Sequence, residues 1–449
     1  MVIATAESSD LGGADAGGGV SRRRFDALAV AGLAAFTVAS RLVFLPPGMM
    51  GFDGPDYVGA LRLDRSFSVP PPGNIGYVLL GKLCSQFVDD PVRAYEWAGV
   101  LLSCWGVAFV YVFATLVLPR WIAVGVAACV GSSAMVWYHG VILQSYIVWI
   151  ATLPMIAYWS VRLARERRVE LVIAASLATG LATILRPDMV VFGGPLLGAG
   201  LVIGRAKWWQ WMASAAICAA CCCVWLFGTA SLVGGVGRYM DIVRAKQSYH
   251  EGLGYVGRGF FEGVLRNGVK YAQYMLWSVH VAIVPAAVGA GWYLKGIRRH
   301  WAAWVFAACW AGPSLVYAIG FFMGAAGFIL PAVPLVYLAA GKGVQVMLAR
   351  RESGGGMAVA VLAVFVVASI NVVQFATTPL PRLTDQRRAL LTHMFFGYSG
   401  AGLSRMYDFQ PKDFGIETSL ANTIRQFRRP EPLPDVPERL PMELRPDGR

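Results

Sequence analysis

Charge is scarce in this chain. Of its 449 residues only 14% are Asp, Glu, Lys or Arg, and there are five histidines. A water-soluble chain of this length carries roughly a quarter of its residues charged, so a large aqueous surface is excluded. Cysteine pairing is also lacking: the eight cysteines show no paired spacing of the disulfide or zinc type. Cys218, Cys221, Cys222 and Cys223 run together, but no His or carboxylate lies near them in the sequence. A run of small, soft residues suits a membrane helix better than a metal cluster. Tandem repeats of fixed period and sustained heptads are absent as well, which argues against solenoids and coiled coils.

What the chain has instead is apolar length. Hydrophobic residues make up 57% of it, and apolar runs recur from about residue 25 to residue 376. The pattern predicts an all-α polytopic membrane protein with spans near 25–44, 97–118, 121–137, 141–161, 169–185, 188–204, 209–233, 271–294, 301–322, 325–348 and 356–376. Each is roughly 17–25 residues, the length a ~30 Å hydrocarbon core requires, giving about eleven crossings. The pair around Arg186-Pro187-Asp188 has short arms and a tight turn.

Orientation follows from the basic residues. The net charge is 39 − 26 = +13. A basic balance can indicate nucleic acid, but here the positive residues sit in short loops between apolar runs. With the N-terminus cytoplasmic, the inside loops hold Arg22–Arg24, Arg120, Arg162, Arg165, Arg167, Arg168, Arg205, Lys207, Lys295, Arg298, Arg299, Arg350 and Arg351. That is the positive-inside pattern of a multi-pass protein in the cytoplasmic membrane. Residues 1–24 read as a disordered cytoplasmic segment, and 25–376 as the transmembrane domain. The run Phe25–Leu45 is long for a signal peptide and reads as an uncleaved first helix. The outside receives two long loops, about 45–96 and 234–270, and a tail from 377 to 449 whose end is Pro-rich and reads as extended or disordered. Short inside loops and long outside loops put the expected chemistry outside.

Asp53 and Asp56 lie just beyond the first helix. A carboxylate partly shielded at a membrane boundary suits a general base, while Asp-Gly and Pro-Asp are equally turn chemistry. The segment Gly76–Phe87 is apolar but too short to span. It reads as an interfacial or re-entrant helix, or as a hydrophobic loop packed on the bundle. His139 and His250 are the outside histidines; Glu251 adjoins the second, but neither has ligands at metal spacing. Trp97, Trp137, Tyr138 and Trp208 stand near span ends, where aromatic side chains anchor at the interface.

The run from Asp53 to Leu83 resembles the first loop of the C-type (GT-C) membrane glycosyltransferases, in a bacterial branch related to the protein O-mannosyltransferases. That branch shows an acidic pair spaced by three, then His-Pro-Pro-Gly-Tyr-Pro, then an apolar helix with Leu-Leu-Gly-Lys-Leu. This chain has Asp53 and Asp56, Pro71-Pro72-Gly73, and Leu79-Leu80-Gly81-Lys82-Leu83. The segments Val136–Tyr146 and Leu181–Val191, the second with its Arg-Pro-Asp turn, are similar to later family pieces, so the likeness covers about the first half of the chain. It departs at Pro70 (usually His), at Asn74 and Ile75 (usually Tyr-Pro), at Gln144 (commonly Glu) and at Asp56 (usually Glu).

The resemblance implies a GT-C-like fold and an inverting transfer of a sugar. The donor is a polyprenyl-phosphate sugar; the acceptor is a hydroxyl of a polysaccharide, glycolipid or protein at the outer face. It implies Asp53 as base, Asp56 orienting the acceptor or holding the loop, and no metal or other cofactor. The leaving phosphate needs cations. Candidates are Arg186, Lys82, Arg238, Arg244, Lys246 and Arg258, with Arg186 foremost because its turn lies near the outer interface. Tyr138 and Gln144 are further candidates for contact with the substrate. Two other classes stay open: a transporter or flippase, against which stands the lack of symmetry between halves, and a non-catalytic scaffold.

Overall fold

The structure is a computed structural model that describes residues 18–43, 45, 57–58, 60–61, 73–252, 260–320, 326–349 and 362–371. Every regular element among them is helical. In chain order they are α1 (Gly18–Val43), α2 (Ile75–Cys84), α3 (Pro91–Ala114), α4 (Arg120–Ser132), α5 (Ala134–His139), α6 (Ile147–Glu166), α7 (Val169–Leu185) and α8 (Met189–Ile203). There follow α9 (Trp208–Val233), α10 (Val236–Gly252), α11 (Phe260–Val279), α12 (Ile283–Lys295), α13 (Trp301–Gly320), α14 (Val333–Leu348) and α15 (Leu362–Asn371).

Five helices are long and apolar enough to cross a bilayer: α1, α3, α6, α9 and α13. The α11/α12 pair, bent by 100°, makes a sixth if taken as one span. The protein is thus a helical bundle of multi-pass membrane character, but eleven helices of full spanning length are not present among the described residues. Helices α4, α7, α8, α14 and α15 run for only 10–17 residues. At 1.5 Å per residue, a 13-residue helix such as α4 reaches about 20 Å, short of a ~30 Å core. The expected single span at 121–137 is in fact interrupted, because Ser133 is extended (φ −54°, ψ 130°) and separates α4 from α5.

Helix α6 is the centre of the bundle. Trp149 is fully buried there, and α6 packs on α3, α7 and α8. The outward faces of α1, α9 and α13 are apolar: Leu28, Trp208, Phe227 and Val316 are all exposed. Lipid, not water, is the solvent such faces match. The basic helix ends gather together. Arg120 Nε donates to Asp26 of α1 at 2.8 Å, and Arg165 Nη1 donates to the Leu116 carbonyl at 3.1 Å. This end carries the loops that the charge pattern assigns to the inside.

Helices α12 and α14 approach backbone to backbone through Gly289 and Gly343. A Cβ on Gly289 would collide with the Ala339 carbonyl, and one on Gly343 with the Pro285 carbonyl. Small residues are what allow such packing in lipid, where the hydrophobic effect does not drive helices together. Gly289→Ala should therefore destabilise the protein by about 1–3 kcal/mol, read as a lower thermal midpoint in detergent. An unchanged midpoint would contradict this packing.

Candidate functional site

The opposite end of the bundle holds a buried polar cluster, and the local sequence explains each part. Pro187 disfavours helical backbone at the residue before it. Arg186 accordingly leaves α7 in an extended conformation (φ −154°, ψ 112°), and Asp188 opens α8. The two side chains fold back on one another: Arg186 Nε donates to both Asp188 oxygens at 2.9 and 2.8 Å. Arg186 Nη1 donates to Ser145 Oγ at 3.0 Å. The guanidinium carbon stands 4.5 Å from the Tyr146 ring centroid and 4.3 Å from that of Trp149. Trp149 Nε1 in turn donates to Asp188 at 3.4 Å. No protein partner is present for Arg186 Nη2 among the described residues.

Burial by itself would lower the pKa of Arg186. The facing carboxylate of Asp188 outweighs it, so the guanidinium is held above its ordinary value and stays charged.

A second arm reaches the cluster from the first loop. Gly73 takes a left-handed backbone (φ +88°), which only glycine adopts readily, and turns the chain into α2. Trp225 of α9 pins this turn by donating to the Gly73 carbonyl at 2.6 Å. Asn74 Nδ2 then donates to Tyr57 OH at 2.6 Å and to Ser145 Oγ at 3.0 Å. Tyr57 packs against Tyr77 and Tyr95, with ring centroids at 4.9 and 5.5 Å. Ser145 thus joins α2 to the α7–α8 turn. Removing both Asn74 bonds with Asn74→Ala should cost about 1–3 kcal/mol, measured as a lower unfolding midpoint. A shift within error would show that the bridge carries no stability.

Helix α2 has the character expected for Gly76–Phe87. It is ten residues long, with Ile75, Gly76, Tyr77, Val78, Gly81 and Cys84 buried and Leu79 and Leu83 exposed. A Cβ on Gly76 would lie 2.7 Å from the Ile184 carbonyl, so α2 sits directly on the end of α7.

The other candidates divide. Gln144 is buried beside Ser145, and its Oε1 has no protein partner among the described residues. Tyr138 is buried too, its ring edge-on to His139 at 5.1 Å, so it offers no open sugar platform. His139 is fully buried between Tyr138 and Tyr146, with neither ring nitrogen partnered among the described residues. Lys82 lies on the exposed edge of α2 and is not drawn into the cluster. Arg238 and Arg244 are exposed on α10, the latter 3.5 Å from Asp241, an ordinary surface pair. Asp53, Asp56, Pro70 and Arg258 lie outside the described residues, as do the side chains of Lys246, His250 and Glu251. Among the described residues no group of three or more His, Cys, Asp or Glu could hold a metal.

Two expectations are corrected. Trp137 is no interface anchor: it is buried, with Arg41 stacked 5.1 Å above its ring. Asn74, read from sequence only as a departure from the family pattern, is the residue that ties α2 to Ser145. Ser145, Tyr146, Trp149 and Tyr57 were not singled out. Ser145 and Tyr146 directly follow Gln144, and Tyr57 directly follows Asp56, so proximity in the chain was the available signal.

No protein-family model matches the chain, and no curated protein matches it significantly.

Proposed function

We propose that the protein is an inverting glycosyltransferase of the GT-C type that moves a sugar from a polyprenyl-phosphate donor to an acceptor hydroxyl at the outer face of the cytoplasmic membrane. In this reading the short helices α4, α7, α8, α14 and α15 complete about eleven crossings, shortened where they meet the site. The observation that carries it is the Arg186–Asp188–Ser145 cluster. A half-buried ion pair walled by Tyr146 and Trp149 in a membrane bundle is costly, and polar groups kept there at such a cost usually serve function. It lies at the bundle end away from the gathered basic loops, and Tyr57, at its edge, directly follows the acidic pair in sequence.

The proposed chemistry is a single displacement. Asp53 takes the acceptor proton, the acceptor oxygen attacks the anomeric carbon, and the bond to the phosphate oxygen breaks with inversion. The polyprenyl phosphate leaves with the bonding electrons. Asp188 already offsets the charge of Arg186, so Arg186 contributes oriented N–H donation through Nη2 more than free charge.

The bent α11/α12 pair is the one feature that favours transport, since broken helices line many transporter sites. One experiment separates the two readings. Purified full-length protein is incubated with a panel of radiolabelled polyprenyl-phosphate sugars and membrane extract, and in parallel is placed in vesicles loaded with the same donors. Label appearing on an acceptor supports transfer. Label crossing the bilayer without a new linkage would replace it with transport.

A further inference from the structure

Arg41 takes no part in the cluster around Arg186, yet it is among the largest fully buried side chains in the protein. It stands near the C-terminal end of α1, beyond an apolar stretch that starts at Ala27 and far from the charges at the other end of the helix, and no carboxylate faces it among the described residues. Its bonds are specific. Nη2 donates to the Gly131 carbonyl at 2.6 Å and Nη1 donates to Ser40 Oγ at 3.0 Å. The guanidinium also lies over the indole of Trp137.

Gly131 is the penultimate residue of α4, and Trp137 belongs to α5. The helix breaks between them at Ser133. A break inside a bundle leaves carbonyls at the end of the first helix without backbone partners, and there is no water in lipid to satisfy them. The same carbonyls form the negative end of the helix dipole, which favours a cation. Arg41 meets both needs at Gly131. Asn371 of α15 assists with bonds to the Cys129 carbonyl (3.4 Å) and to Ser132 Oγ (3.2 Å). On the other side of the break, Ser133 and Ser278 share a hydrogen bond of 2.6 Å, and Tyr337 OH donates to the Ser278 carbonyl at 3.0 Å.

We infer that Arg41 is a positioning residue: by bonding the last turn of α4 and stacking on Trp137 of α5, it sets the angle of the break and so holds the segment 134–146 against Arg186. That segment carries Tyr138 and His139 and ends in Ser145 and Tyr146, which bond or stack with Arg186. Arg41 thus acts on the candidate site through two helices without touching it. Its importance for catalysis rests on the transferase reading; its effect on the segment does not.

Hydrogen exchange followed by mass spectrometry on the full chain in nanodiscs tests this without any activity. Arg41→Gln keeps a neutral donor but loses the charge and the stacking. Exchange should then rise about tenfold in peptides covering 134–146, while 169–185 stays at the wild-type rate. Arg41→Lys keeps the charge but cannot reach Ser40 and Gly131 together, so it should give the same local rise at about two- to threefold. A wild-type pattern in either variant, or a rise shared equally by all peptides, would overturn the assignment. If Arg41→Gln does not fold, Arg41→Lys alone decides. If the wild-type protein transfers no sugar, the exchange result still stands, so the two readings fail separately.

Discussion

Asp53→Asn is expected to lower sugar transfer by about 10²–10⁴-fold while leaving protein yield and thermal midpoint unchanged. The amide keeps the shape of the carboxylate but cannot accept the proton of the attacking hydroxyl. Donor binding does not depend on that proton, so the apparent KM for the polyprenyl-phosphate sugar should stay within about threefold and the loss should fall on kcat. Asp56→Asn should cost less, because its proposed task is to orient the acceptor. The measurement is initial transfer rate in membranes with radiolabelled donor, wild type beside each variant. Full activity in Asp53→Asn would remove the base from the mechanism, and with it the main reason for calling the protein an enzyme.

The second large effect belongs to Arg186. Arg186→Ala leaves Asp188 without its cation and removes the donor to Ser145. Breaking a buried pair costs about 3–5 kcal/mol because the survivor is left charged in a poor solvent. Asp188 keeps 27% side-chain exposure, so a smaller loss of about 2–4 kcal/mol is expected here. It should appear as a marked fall in the thermal midpoint in detergent. The double variant Arg186→Leu with Asp188→Leu removes both charges and should recover at least half of that loss, since an apolar pair of similar volume is no worse than an ion pair in such surroundings. It should not recover transfer, because no N–H group then faces the leaving phosphate. This pattern separates a site residue from a structural one. A double variant that is both stable and active would show that the pair serves the fold alone.

How much of this was legible beforehand depended on the range of the interaction. Helical class and membrane character were readable because apolar length is a local property of the chain. The Arg-Pro-Asp turn was readable for the same reason: Pro187 acts on its immediate neighbour. A short helix here was also foreseen, since the apolar stretch Gly76–Phe87 is too short to cross a bilayer; the helix runs from Ile75 to Cys84. The span at 121–137 was misjudged because nothing in its composition marks Ser133 as a break. Around the break, Arg41, Asn371 and Ser278, all distant in the chain, bond to groups at the end of α4 and at Ser133. Arg41 left a trace, the one basic residue in the run Phe25–Leu45, but its partner carbonyl lies 90 residues away. Lys82 and Arg244 stood behind Arg186 as candidate cations on loops assigned to the outside. Packing widens the difference, since Arg186 is held within the cluster while the other two are exposed.

The amino-acid sequence by itself determined the solvent this protein lives in, the helical class, which loops are basic and the turn at Arg186. Each follows from side-chain hydrophobicity, charge or backbone preference acting within a few residues. The tertiary structure alone decided that Ser145, Tyr146 and Trp149 close on the Arg186 guanidinium, that Asn74 reaches Ser145, and that Arg41 bridges two helices. Those groups come from separate helices and loops, and a hydrogen bond of about 3 Å between them exists only after the helices have packed.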